Sequence, residues 1–134
     1  MKKILTALCV CALAIMLGAC GSKNTPSATA EKYADYVIKG DYKSALDLTQ
    51  FSGTEEQVEK QKEFYLQMLE NKVKEGLPDD KKMTKFEVIS EEIDEENGKA
   101  TVTANVTYAD GNTKEEKTKL VKTEDGKWMI DGEK

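Results

Sequence analysis

The chain has 134 residues, with 25 acidic side chains against 20 basic ones and no histidine. Every basic residue is a lysine, so the chain has no arginine to hold phosphate through two parallel hydrogen bonds. Without histidine it also lacks the usual proton shuttle at neutral pH and the commonest zinc ligand. An acidic chain of this kind is a poor nucleic-acid binder, and its length suits one compact domain.

The first twenty residues have the pattern of an export signal. Met1-Lys2-Lys3 is cationic, and the 14 residues from Ile4 to Leu17 are apolar except for Thr6 and two cysteines. A helix needs about 20 apolar residues to cross a bilayer, so this run is too short to be a stable span. A basic start, a short apolar run and small residues after it are typical of a secretory signal peptide.

Leu17-Gly18-Ala19-Cys20 resembles the lipobox of bacterial lipoproteins. The resemblance implies that the Cys20 thiol carries a diacylglycerol, that the signal is cut before Cys20, and that the new amino end is often acylated. Lipid burial contributes about 0.8 kcal/mol per CH₂, and stable attachment takes at least two chains. The predicted parts are a signal peptide at 1–19, a lipidated tether at 20–25 and a domain at 26–134. An ordinary signal peptide with a chance cysteine is the alternative.

Cleavage before Cys20 has consequences for the remaining chain. It leaves 115 of the 134 residues, with 18 lysines against 25 acids and a net charge of −7. Cys20 is then the last cysteine, so no internal disulfide and no cysteine metal site can form. We expect a lipid-anchored protein of the bacterial envelope, on the outer face of a Gram-positive cell membrane. In a Gram-negative host the outer membrane is the expectation, because Gly21 replaces the aspartate associated with inner-membrane retention.

Three helices are predicted after the tether. Thr25-Pro26 indicates an N-cap with proline at the first helical position, and Lys39-Gly40 indicates the helix end. Asp41 caps a short second helix. Thr54 and Gln57 fit a capping box for the third, which runs from about Glu55 to Glu75. Helical spacing predicts the inward faces to be Ala30, Tyr33, Ala34, Val37 and Ile38, then Tyr42, Ala45, Leu46 and Thr49, then Val58, Tyr65, Met68, Leu69, Lys72 and Val73, with Phe64 at the margin.

From Met83 the apolar period changes to two, which predicts strands. The first begins at Phe86 and continues through Ile93, with an alternation that wavers near Ser90. Turn signals predict a meander of four antiparallel strands, with turns at Asn97-Gly98, Asp110-Gly111 and Asp125-Gly126. One face of this sheet is apolar, including Ala100, Val102, Ala104, Val106 and Tyr108, and the helices should cover it. The expected class is therefore α+β, with three N-terminal helices packed on a four-stranded antiparallel sheet.

Several of these features together resemble the DUF4878 lipoproteins of the NTF2-like (cystatin-like) group. They are Thr25-Pro26, the junction Lys39-Gly40-Asp41-Tyr42, Ala45 and the closing Asp125-Gly126-Lys127-Trp128. The resemblance covers most of Thr25 to Asp131, and the lipobox strengthens it. It implies a curved sheet wrapped around a long helix, making a cone with room for a pocket. It implies no activity, since NTF2-like relatives include isomerases, dehydratases and non-enzymatic binding or dimerising domains.

The carboxylates come in runs, which we interpret as solvated surface. Asp94-Glu95-Glu96-Asn97 lacks the alternation and the distal glutamate of an EF-hand calcium loop. An isomerase-like site would need a buried carboxylate base with a tyrosine or acid donor. Tyrosines are available, but no acid falls clearly on the apolar sheet face, and Asp35 is expected to face water. We therefore expect no catalytic residue, no metal and no cofactor. The runs are Glu55-Glu56, Asp79-Asp80, Glu91-Glu92, Asp94-Glu95-Glu96 and Glu115-Glu116.

An aromatic set could line a pocket for a small apolar ligand. Its members are Tyr33, Tyr36, Phe64, Tyr65, Met68 and Trp128. The alternative is that these side chains form the core of a small domain. The leading hypothesis is a non-catalytic envelope lipoprotein, attached to the membrane through lipid on Cys20, that binds a protein partner or small ligand. An isomerase- or lyase-like enzyme using the cone, and a structural homodimer, are the two alternatives.

Overall fold

The computed structural model describes residues 24–132. The predicted signal peptide, Cys20 and the tether up to Lys23 lie outside the described residues. No helix in the described range is long and apolar enough to cross a membrane.

Three α-helices precede most of the sheet. The helices are α1 (Pro26–Lys39), α2 (Tyr42–Asp47) and α3 (Glu55–Glu75), with a single 3-10 turn at Asp79–Lys81. The strands are β1 (Thr49–Gln50), β2 (Met83–Asp94), β3 (Lys99–Tyr108), β4 (Thr113–Lys122) and β5 (Trp128–Asp131).

The three predicted N-caps and the predicted end of α1 are confirmed. The Thr25 hydroxyl accepts from the Ala28 amide at the start of α1, and Thr54 and Gln57 form the reciprocal capping box of α3. Gly40 ends α1 with φ at 82°, a left-handed conformation that glycine adopts without steric cost. Asp41 caps α2 through the Ser44 amide. The helix boundaries therefore follow from local hydrogen bonding, as their sequences indicate.

The sheet has five strands rather than the predicted four. The four antiparallel strands are present in the predicted meander, but β1 adds to the edge and pairs in parallel with β5, giving the order β1-β5-β4-β3-β2. Thr49 lies in β1 opposite Ile130, so its predicted place on the second helix is wrong. The helix stops early because the Leu48 carbonyl accepts from the Ile130 amide, which draws the chain into the sheet.

The core lies between α1 and one face of the sheet. Ala30 and Ala34 are 1% exposed, and small side chains here let α1 approach the strands closely. Trp128 belongs to this core, which agrees with the core alternative for the aromatic set. The buried cluster consists of Ala30, Ala100, Val102, Leu120, Trp128 and Ile130, with Tyr33, Phe86, Val88 and Ile93 packed around it.

Helix α3 does not bury the stripe that its spacing predicts. None of its 21 residues is buried, and Phe64, Tyr65 and Val73 are 64%, 37% and 44% exposed. The reason is that α3 packs on α2 rather than on the sheet, and the six-residue α2 is too short to cover a helix about 31 Å long. The buried Phe51 ring, which precedes α3, stacks on Tyr65 of α3 at 5.6 Å.

Strand β2 contains a β-bulge that changes which side chains face the core. Val88 pairs with Ala104 and Ser90 pairs with Thr103, so Ile89 is an extra residue in β2. Because side chains alternate along a strand, one inserted residue moves all later side chains to the other face. Glu91 consequently lies opposite Val102 on the core face and is 2% exposed. The expectation that no acid falls on the apolar face is therefore wrong.

Candidate functional site

The buried Glu91 carboxylate is bound by the first turn of α1. The Ser27 amide and the Ser27 hydroxyl both donate to Glu91 Oε1, each at 2.8 Å. The first turn of a helix has amides without a helical partner and a partial positive charge, so it favours a carboxylate. Pro26 has no amide hydrogen, and Thr25 accepts from Ala28, so Glu91 satisfies the remaining donor of this turn. The contact fixes α1 to β2.

Glu91 Oε2 has no hydrogen-bond partner among the described residues. The side chain is packed against the core and does not line either of the two grooves described below. At 2% exposure it is out of contact with solvent, and its Oε1 is an acceptor for the first turn of α1.

A tyrosine and a carboxylate do meet elsewhere, near the end of β3 and on the neighbouring β4. The Tyr108 hydroxyl donates to Glu116 Oε2 at 2.8 Å, and the Lys114 ammonium lies 5.5 Å from the Tyr108 ring centre. Burial, and then the Glu116 carboxylate, raise the pKa of Tyr108, so its hydroxyl remains a donor at neutral pH. Glu116 is exposed to water. The buried carboxylate and the tyrosine-bound carboxylate are therefore two different residues.

The structure does not bring the six pocket candidates together. Trp128 lies in the core at 6% exposure, and Tyr33 packs beside that core, where burial raises its pKa. Tyr36 is half-buried on α1. Of the members on α3, Phe64 is exposed, Tyr65 is 37% exposed and stacks on Phe51, and Met68 is half-buried. None of the six lines either described groove.

Two open grooves follow the contact between α2 and α3. The first has a volume of about 580 Å³ and lies between β1, β5 and the first turns of α3, with Phe51, Val58 and Met129 as its apolar part. Glu55, Glu56 and Glu59 make it acidic, and its Lys62 is paired with Asp47 at 3.3 Å. The second has a volume of about 390 Å³ and is lined by Gly40, Asp41, Tyr42, Lys43, Leu66, Glu70, Val73 and Lys74.

The other acidic runs are exposed, as predicted, and only Glu91 of the run Glu91-Glu92 is buried. At the predicted turn, Asp94 accepts from the side chain and the amide of Asn97. Among the described residues, no three acidic, cysteine or histidine side chains are placed to hold a metal ion. Asp35 faces water and pairs with Lys39.

The architecture is matched by a solved structure from Campylobacter jejuni, provisionally described as an NTF2-like transpeptidase. The similarity has a TM-score of 0.60 at 17% identity and covers 81% of this chain and 99% of the other. The fold is therefore NTF2-like. A sequence profile of the domain of unknown function DUF4878 matches residues 18–131, so the chain belongs to that family. No curated protein matches the sequence.

Sequence reasoning missed Glu91, although a signal was present. The alternation wavers near Ser90, and a run of Val88, Ile89 and Ser90 fits neither phase of a regular strand. Placing one extra residue there puts Phe86 and Val88 on the same face as Glu91 and Ile93. This arrangement places the charged Glu91 on an apolar face, which a hydrophobic pattern alone does not predict.

Proposed function

We propose that this protein is a non-catalytic lipoprotein of the bacterial envelope, whose NTF2-like domain binds a protein partner or small ligand outside the membrane. The supporting observation is helix α3, which has no buried residue and presents Phe64 and Tyr65 to solvent, with their ring centres 5.8 Å apart in an edge-to-face contact. Adjacent exposed apolar side chains with a polar surround are typical of interaction sites. Val73 lies on the opposite side of α3 from Phe64 and lines the second groove. The two grooves beside α3 extend that surface. Because both grooves are open to solvent, they favour a protein partner over a small ligand held in an enclosed cavity.

The enzyme alternative has less support from the geometry. An acid–base site in this fold needs a carboxylate and a donor that meet in a space open to substrate. Glu91 is buried and bound to Ser27, whereas Glu116 bonds to Tyr108 in water. A homodimer through the outer sheet face is also less favoured, since β3 presents Thr101, Asn105 and Thr107 there.

Crosslinking from α3 tests the binding proposal. A photoreactive phenylalanine analogue at Phe64 is expected to form a discrete adduct in native envelopes, because this side chain is 64% exposed at the centre of α3. The matched control carries the same analogue at Lys119, which is exposed on β4. No adduct from Phe64, or identical adducts from both positions, would contradict a partner on α3.

The anchor is tested by Cys20→Ser. Loss of the thiol removes the site of lipid attachment, so we expect the protein to leave the membrane fraction or to remain unprocessed. Fractionation and acyl labelling measure this, with Cys11→Ser as the control inside the signal. Unchanged acyl labelling of Cys20→Ser would contradict the lipoprotein proposal.

A further inference from the structure

The described chain enters the domain at one end of the sheet and is fixed there. The Asn24 side chain donates to the Gly126 carbonyl at 2.6 Å and accepts from the Trp128 amide at 3.2 Å. Three residues later, Ser27 bonds to Glu91 near the end of β2. Asn24, near the end of the predicted tether, therefore bonds to the start of β5, and Ser27, just after the tether, bonds to β2, so hydrogen bonds define the point of entry.

Two hairpin turns lie at the same end. They are the turn 95–98 between β2 and β3 and the turn 123–127 between β4 and β5, which together we call the hairpin end. The Lys122 amide donates to the Gly98 carbonyl at 2.8 Å, so the two turns are neighbours. The turn 109–112 between β3 and β4 lies at the opposite end, about 30 Å away by the length of β3.

The distance from the predicted lipid to this end is short. Cys20 precedes Asn24 by four residues, and an extended chain covers at most about 3.6 Å per residue, or about 14 Å. A lipid on Cys20 therefore keeps the hairpin end close to a bilayer. The turn 109–112, at the other end of the sheet, can reach the bilayer only if the domain lies on its side.

The charges of the hairpin end oppose direct contact with an anionic bilayer. Five carboxylates against three lysines leave a net charge of −2 at the two turns and the strand ends beside them. The Asn97 side chain lowers the pKa of Asp94, and the Thr123 hydroxyl lowers the pKa of Asp125, so both stay ionised in mildly acidic surroundings. The charged residues are Asp94, Glu95, Glu96, Glu124 and Asp125, with Lys99, Lys122 and Lys127.

The hairpin end also offers nothing to insert into lipid. Among the described residues, the exposed large apolar side chains are Ile38, Phe64, Tyr65, Val73 and Ile89, and none lies in either turn. Val73 instead lines the groove with Gly40, which ends α1 away from its anchored start. The apolar surface and the membrane tether are thus on different parts of the domain.

We propose that the hairpin end faces the bilayer without entering it, so that the domain stands off the lipid surface and presents α2 and α3 away from the membrane. This orientation rests on the proposed anchor at Cys20. The partner at the hairpin end is the lipid headgroup layer, and charge repulsion sets the gap. The tether limits how far the domain rises, and the carboxylates limit how closely it approaches.

A matched pair of labels tests the orientation. Asn97 and Asn112 are exposed turn residues, and each bonds through its amide to a preceding aspartate, Asp94 or Asp110. Asn97→Cys and Asn112→Cys would each carry one fluorophore in the acylated full-length protein, in phosphatidylethanolamine–phosphatidylglycerol vesicles containing a headgroup quencher. We expect quenching at position 97 to exceed that at 112 about twofold or more, because the strands separate the turns by about 30 Å.

The possible results separate the two proposals. Equal quenching at both positions, or stronger quenching at 112, in protein that floats with the vesicles overturns the orientation and leaves the anchor intact. Acylated protein that does not float overturns the anchor, and the orientation with it. Replacing Glu95, Glu96 and Glu124 with lysine should draw the end closer and raise quenching at 97; unchanged quenching contradicts the charge-set gap.

Discussion

Glu91→Ala is expected to destabilise the protein by about 3 kcal/mol, because it removes a buried acceptor of two hydrogen bonds and leaves the Ser27 amide unsatisfied. Charge-assisted bonds at a helix start add to this cost, since the helix field favours a carboxylate there. Glu91→Gln keeps an acceptor and should cost less. Urea unfolding, followed by circular dichroism, measures the free energy of unfolding for each variant.

The neighbouring residue supplies the control for Glu91. Glu92 is chemically identical but exposed on the other sheet face, so Glu92→Ala should change the free energy of unfolding by less than about 0.5 kcal/mol. Ser27→Ala removes only the hydroxyl bond and should cost about 1 kcal/mol. Equal effects of Glu91→Ala and Glu92→Ala would show that the bond to Ser27 does not stabilise the fold.

Deletion of Glu87 is expected to be comparably damaging, costing at least about 3 kcal/mol or preventing folding. Without Glu87, Phe86 and Val88 are consecutive and cannot both lie on the core face opposite Val106 and Ala104. Deletion of Ile89 should be tolerated much better, because it removes the extra residue and leaves a regularly alternating strand with the same side chains on the core face. Thermal unfolding and the yield of folded protein measure the effect.

The difference between the two deletions should depend on their position in β2 rather than on the lost side chains. Ile89 is 48% exposed and Glu87 is also exposed, so Ile89→Ala and Glu87→Ala keep the strand length and should each cost less than about 1 kcal/mol. If deletion of Ile89 were as damaging as deletion of Glu87, Ile89 would not be the extra residue of the bulge, and the burial of Glu91 would need another cause.

The features that the sequence predicts well are those decided by a few neighbouring residues. The caps at Thr25, Asp41 and Thr54 were predictable because each side chain bonds to an amide three residues away. The hairpin signals gave the order of β2 to β5 for the same reason, since each turn joins strands that are neighbours in the chain. Local chemistry is sufficient for these elements.

The parts that the sequence does not predict depend on distant residues. Strand β1 exists because Leu48 meets Ile130, which is more than 80 residues later. The stripe on α3 has the spacing of a buried helix, but its periodicity cannot show whether α2 is long enough to cover it. The pocket candidates separate for the same reason: Trp128 and Phe64 are both aromatic, but their surroundings come from different elements.

Strand β2 lies at the edge of the sheet and is twelve residues long. Edge strands are templates on which other chains can add strands. Its bulge increases the local twist of the edge, and Glu91 is an inward-pointing charged residue on it. Both features oppose the addition of a strand from another molecule. They would matter most in the proposed membrane-anchored form, where identical edges meet often and in similar orientations.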